Sequence, residues 1–224
     1  MMEWGKMGMF DGLSVFMEKL VGFNDFMMVL SLVVVWFVLM LMFNELVLTM
    51  LNTWDMESVM VEFIWTVLPL VLLGFMAYPS MVLLYMYDEG KVVDLIVKVV
   101  GHQWYWEYES YLSGGSSYES YMEGAGNGVL YRLLDVDNRL VLPLFSSVQL
   151  LITSSDVVHS WALPSMGVKV DAIPGIINQV TLNLIVPGVM YGQCSELCGV
   201  NHSFMPIVLE VVSMVDYLSW VVGK

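Results

Sequence analysis

Two long apolar runs dominate the first ninety residues. Phe26 to Phe43 contains no ionisable residue, and only Asn44 and Glu45 interrupt the apolar stretch before about Leu51. A second run, Phe63 to Tyr87, is 25 residues without a charge. A hydrocarbon core of about 30 Å needs about 20 helical residues, so each run predicts a membrane span with some tilt. Pro69 and Pro79 fall inside the second run, where a membrane helix tolerates them. The acidic link Asn52–Glu62 makes the pair an antiparallel hairpin. Ahead of it, Asp11 is expected to cap a short interfacial helix with Leu13, Phe16, Leu20 and Phe23 on one face.

After Tyr87 the pattern changes. Val93, Leu95, Val97 and Val99 alternate with other residues over Val92–Val100, the period of a half-buried strand. Further β-rich runs follow at Val136–Leu142, Val148–Thr153, Gln179–Val186 and Ile207–Val212, separated by Gly, Pro, Ser and Asn. This spacing predicts a β-sandwich or barrel. Gly114–Gly115 and Gly124–Gly128 mark a flexible surface insertion. The fold expected is thus a membrane-anchored all-β protein: residues 1–90 hold the N-terminal segment and the helical hairpin (about 26–51 and 63–87), and residues 91–224 the sandwich.

Composition agrees with an anchor. The 224 residues are 58% hydrophobic and 13% charged, with a mean hydropathy of +0.73, whereas a soluble domain is about a quarter charged. A chain of this length cannot bury so much apolar surface in one core. The formal net charge of −14 argues against nucleic acid as a partner and favours a basic one. Charge counting gives little on orientation. The link carries no Lys or Arg and the N-terminal segment carries Lys6 and Lys19, which by itself would put the link outside.

The chemistry concentrates in Gln193-Cys194-Ser195-Glu196-Leu197-Cys198-Gly199-Val200-Asn201-His202-Ser203-Phe204-Met205-Pro206. It reads Cys-x3-Cys-x3-His-x2-Met. Thiolate, imidazole and thioether together are the ligand set of a copper electron-transfer centre. One Cys, His and Met on a loop, with a second His from elsewhere, make a mononuclear site. A second Cys allows two bridging thiolates to hold two copper ions that share one electron, so little rearranges on reduction. The second histidine is expected to be His159, which follows the Val148–Thr153 strand; His102, in an aromatic run, is the alternative. A Cys194–Cys198 disulfide would leave His202 and Met205 unexplained. A structural zinc site would need wider spacing, and Met is a poor zinc ligand.

At these residues the chain resembles cytochrome c oxidase subunit II in its animal mitochondrial form. The likeness extends to Val61-Glu62-Phe63-Ile64-Trp65-Thr66, Gly101-His102-Gln103-Trp104-Tyr105-Trp106, Asp135-Val136-Asp137-Asn138-Arg139, Asp171-Ala172-Ile173-Pro174-Gly175 and Tyr191-Gly192-Gln193. The resemblance implies a cupredoxin domain with a dinuclear copper A centre. Cys194 and Cys198 would bridge both ions, His159 and Met205 would complete one, and His202 with the Glu196 carbonyl the other. The Glu196 carboxylate would bind magnesium at the boundary with subunit I. Trp104 would receive electrons from cytochrome c, and Glu62 would sit at the mouth of a proton channel of subunit I. The partners implied are subunit I and other oxidase subunits, cytochrome c and membrane lipid. The place implied is the mitochondrial inner membrane, with the copper domain in the intermembrane space of a proton-translocating oxidase. Ile176 stands where many relatives carry Arg. A metal-free quinol oxidase subunit would lack the copper ligands, and a nitrous oxide reductase-like copper domain would lack the two-helix anchor.

Overall fold

The computed structural model describes residues 9–47, 57–88, 92–110, 115–124 and 131–223. The chain forms two compact units: one of Lys19–Tyr87, the other of the residues through Glu18 together with Asp88 onward.

The first unit holds most of two helices, α1 (Val15–Val47) and α2 (Val59–Asp88). Neither has a buried residue in its most apolar stretch, where mean hydropathy reaches 2.8 and 2.2. Side chains such as Leu32, Trp36, Leu39 and Phe43 on α1, and Trp65, Leu70 and Phe75 on α2, are exposed, as on helices long and apolar enough to cross a membrane. Helix α2 continues through Pro69 and Pro79. Hydroxyls that would be costly in hydrocarbon turn back on the helix: Ser31 donates to the Met27 carbonyl and Thr66 to the Glu62 carbonyl, both at 2.8 Å.

The expected interfacial helix does not exist as a separate element. Asp11 and Leu13 precede the helix, and Ser14 caps it instead, its Oγ accepting from the Met17 N–H at 3.0 Å and donating to the Met166 carbonyl at 2.8 Å. With Leu13 N–H donating to Ser165 O at 2.9 Å, this start is fixed to the β-rich unit. Nothing after Ser14 breaks the helix, so the residues expected to form a separate interfacial helix are the first turns of α1. The expected end of that span, residues 48–51, and residues 52–56 of the link lie outside the described residues.

The second unit is β-rich. Among the described residues its strands are β1 (Leu95–His102), β2 (Tyr105–Ser110), β3 (Ser117–Ser120), β4 (Leu140–Pro143), β5 (Ser147–Ser154), β6 (His159–Leu163), β7 (Val168–Ala172), β8 (Asn178–Asn183), β9 (Gly188–Gln193) and β10 (Pro206–Val212). They form a five-stranded sheet in the order β3-β2-β1-β5-β8, a three-stranded sheet β4-β10-β9 and the pair β6-β7. The pairs β1–β5 and β4–β10 are parallel; the other pairings are antiparallel. Helix α3 (Met214–Gly223) follows β10. The segment expected to be a flexible insertion contains β3, paired with β2; residues 111–114 and 125–130 lie outside the described residues.

Alternation fixes which face goes inward. Val97 and Val99 of β1, Trp106 and Tyr108 of β2, and Val148, Leu150 and Ile152 of β5 meet in one core with Trp161, Leu163 and Leu209. The core's two large indoles keep their polar ends paired: Trp161 Nε1–H reaches Tyr108 Oη and Trp106 Nε1–H reaches the Met205 carbonyl, each at 3.4 Å. Strand β9 passes so close to β6 that a Cβ on Gly192 would fall on the carbonyl oxygen of Ala162. Gly192→Ala is therefore expected to destabilise the β-rich unit by about 3 kcal/mol or more, because backbone on both sides must move. Urea unfolding followed by tryptophan fluorescence measures it.

Candidate metal centre

The loop between β9 and β10 carries Cys194, Cys198, His202 and Met205, and it is tied at its start. Ser195 N–H donates to the Ser160 carbonyl of β6 at 3.0 Å. This single backbone bond sets Cys194 beside His159, the first residue of β6, with Cys194 Sγ 4.0 Å from His159 Nδ1. His159, Cys194 and Cys198 are all buried, and their ligand atoms lie within 4.8 Å of one another. Around Cys198 Sγ sit His202 Nδ1 and Met205 Sδ, each at 3.5 Å. The Glu196 carbonyl oxygen is 3.3 Å from Cys194 Sγ, while the Glu196 residue itself is exposed. Both cysteines are free thiols.

His159 is aimed by Asp156. The Asp156 carboxylate accepts from His159 Nε2 at 2.9 Å and from the Gln103 N–H at 2.7 Å. With Nε2 donating to a carboxylate, Nδ1 keeps its lone pair toward the thiols, the arrangement usual for metal-bound imidazoles. Burial lowers the His159 pKa, but hydrogen bonds with Cys194 and Asp156 outweigh it and leave it raised. Burial raises the Asp156 pKa, yet hydrogen bonds from His159 and the Val157 and Gln103 N–H groups bring it below the usual carboxylate value.

The two thiols are unequal. Burial pushes Cys194 up, but hydrogen bonds to His159 and the nearby backbone bring it down below an ordinary thiol. Burial pushes Cys198 up, and the charge of Cys194 pushes it further. One thiolate forms readily and the second requires positive charge beside it, which a soft cation supplies. Two thiols, two imidazole nitrogens, a thioether and a carbonyl facing one another fit copper better than a hard ion.

The turn between β1 and β2 closes over the loop. Gln103 Nε2–H donates to the Cys198 carbonyl at 2.7 Å and Trp104 Nε1–H reaches the same oxygen at 3.3 Å. Gly199 has φ +127°, and a Cβ there would lie 3.0 Å from Trp104 Cζ2; the indole packs against the loop because that position has no side chain. Leu197, Val200 and Phe204 point outward, 78, 84 and 43% exposed.

Of the residues expected from the sequence, His159, Cys194, Glu196 (through its carbonyl), Cys198, His202 and Met205 come together, with half-buried Trp104 against them. His102 does not join them. Its Nδ1 meets Ser155 Oγ at 2.7 Å, its Nε2 meets Glu107 at 3.0 Å, and its ring stacks on Tyr105 at 4.6 Å. Glu62 lies in the other unit, in the first turn of α2, and its carboxylate pairs with no described residue. Sequence reasoning missed Asp156 and Gln103 as the groups that orient the site, and Trp106 as the indole bonded to the Met205 carbonyl. Only Asp156 left a local signal, three residues before His159.

Comparison with known proteins covers both units. Residues 95–212 match the family described as cytochrome C oxidase subunit II, periplasmic domain, and residues 2–83 the cytochrome C oxidase subunit II, transmembrane domain. Cytochrome c oxidase subunit 2 of Drosophila bifasciata is 42% identical over 232 residues, covering 100% of this chain and 99% of the relative. Among solved structures, the periplasmic domain of subunit II of cytochrome oxidase of Bradyrhizobium japonicum is 42% identical with a TM-score of 0.56, covering 59% of this chain and 94% of that one. A subunit II of cytochrome c oxidase, solved as a mixed disulfide intermediate with a thioredoxin-like protein, is 39% identical with a TM-score of 0.54 and covers 60% and 93%. These matches give the β-rich unit its cupredoxin-like fold and make the helical pair a membrane anchor. The family implies a copper centre, and its members are part of the haem–copper oxidase complex. By full-length identity and by both of its units, the chain belongs to the cytochrome c oxidase subunit II family.

Proposed function

We propose that this chain accepts electrons from cytochrome c at a dinuclear copper A centre and passes them to the haem of subunit I, where oxygen is reduced to water. The observation that carries the reading is the pair of buried thiols, each flanked by its own imidazole nitrogen and its own neutral donor. Cys194 and Cys198 would bridge two copper ions, His159 and Met205 would complete one, and His202 with the Glu196 carbonyl the other. Bound copper would supply a one-electron couple spread over two metals. The protein's part is to hold the donors still: Asp156 fixes the His159 tautomer, Ser160 fixes the loop, and Trp106 holds the backbone of Met205.

Trp104 is the receiving residue in this reading, since its indole N–H is bonded to the main chain of a bridging cysteine. Glu196 would offer its exposed carboxylate to magnesium shared with subunit I, and Glu62 would stand at a proton-channel mouth of that subunit. The two thiols must be reduced before they take copper, and the mixed disulfide between a subunit II domain and a thioredoxin-like protein fits such a step. The setting proposed is the mitochondrial inner membrane, with the copper domain in the intermembrane space.

Cys194→Ser or Cys198→Ser is expected to abolish the mixed-valence paramagnetic-resonance pattern, leaving at best a mononuclear copper. An unaltered pattern in either variant would overturn the bridging role.

Glu196→Gln keeps the carbonyl and removes the charge. Copper should still assemble while magnesium binds much more weakly, because a hard cation loses an anionic oxygen. Metal analysis and a copper spectrum on one sample check it; copper lost with magnesium retained would reverse the assignment.

Donor affinity should fall steeply with salt, as the Debye length shrinks from about 10 Å at 0.1 M to about 3 Å at 1 M. Of the acidic residues proposed for the docking patch, Glu109 is paired with Lys98 at 3.2 Å, Asp137 accepts from the backbone N–H groups of Tyr121 and Asn138, and Asp156 is engaged by His159. Trp104→Ala should slow electron acceptance with donor binding largely intact, read by stopped-flow oxidation of cytochrome c at two ionic strengths.

A further inference from the structure

The membrane unit has a groove of its own. About 490 Å³ of space lies between the helices, lined by Lys19, Gly22, Phe23 and Phe26 of α1 and by Tyr78, Pro79, Val82 and Leu83 of α2. The α1 residues recur at i, i+3, i+4 and i+7, so they form one continuous stripe. Gly22 is what opens it: a Cβ there would meet nothing within 4 Å. Phe26, Tyr78 and Val82 are 45, 76 and 51% exposed, so the walls are apolar and uncovered.

One end of this groove is charged. Lys19 is the sole Lys or Arg between Lys6 and Lys91, and it is exposed and forms no ion pair with a described residue. Glu18 and Asp25, the nearest carboxylates in sequence, do not line the groove. Lys19 lies in the second turn of α1, and Phe26 is seven residues, about 10 Å, further along the helix. The groove therefore begins at the depth of a lipid headgroup and runs into the hydrocarbon.

We propose that this groove is a binding site for an anionic phospholipid, its phosphate on Lys19 and one acyl chain along Gly22, Phe26, Tyr78 and Val82. A free anion would gain nothing from the apolar walls. A zwitterionic lipid would fill them but would bring its own cation to an uncompensated lysine. The anionic phospholipid satisfies both ends at once.

The test uses the full-length chain in detergent micelles, given equal amounts of dioleoyl phosphatidylglycerol and dioleoyl phosphatidylcholine, with bound lipid counted by native mass spectrometry. The wild type should prefer the glycerol lipid about fivefold, as expected for one lysine near an anionic headgroup. Lys19→Gln should bring the ratio close to one. Gly22→Trp should remove both lipids by filling the groove, whereas Gly74→Trp should retain them, because Gly74 is equally open on α2 and lines no part of the groove. Circular dichroism checks that the helices persist; if Gly22→Trp loses them, the Lys19→Gln ratio decides. Equal retention of the two lipids by the wild type, an unchanged ratio in Lys19→Gln, or unchanged binding in a folded Gly22→Trp would overturn the site. The last result would mean that lipid only coats the hairpin, and that another subunit takes this face.

Discussion

The site depends on one backbone hydrogen bond, from Ser195 N–H to the Ser160 carbonyl. It joins a loop that carries four side-chain donors to the strand that carries the fifth. Without it, Cys194 and His159, thirty-five residues apart in sequence, have no reason to meet. The bond can form only because β9 and β6 approach without a side chain between them at Gly192. A backbone constraint of this kind costs no side-chain entropy and does not respond to charge. It suits the electron-transfer role proposed for this centre, in which the geometry should stay the same in two oxidation states.

A second layer of ties runs through Asp156 and Gln103. Asp156 holds His159 on one oxygen and the Gln103 N–H on the other, and the Gln103 side chain reaches the Cys198 carbonyl. The turn that presents Trp104, the histidine and the cysteine loop thus share one polar network. Such a network is strong when every member is satisfied and costly when one is removed. Trp106 completes it from the core side through the Met205 carbonyl.

The parts of this architecture legible in the sequence are those whose signal is local. The two membrane helices follow from unbroken apolar runs, and β1, β5, β8 and β10 from alternation or β-rich composition. Strands β6 and β9 lack such a signal. Every residue of β6 is buried, so it has no polar face to alternate with, and β9 begins with Gly188 and contains Gly192. Strand β2 does alternate, with Trp106, Tyr108 and Ser110 inward, but its aromatic residues Tyr105 and Trp106 belong equally to the motif Gly101–Trp106 and mask that period. Likewise, Cys194, Cys198, His202 and Met205 were visible as a set because one loop carries them. His159 was reached only as the better of two histidines, and the tie that selects it is formed by backbone atoms, which leave no trace in residue identity.

The outward side chains of the loop have a consequence for docking. Leu197, Val200 and Phe204 stand exposed on the same loop as the buried thiols, so the loop turns apolar side chains outward while it buries its sulfur atoms. Any partner that docks on this face gains apolar area from these three side chains and covers the loop that holds the thiols.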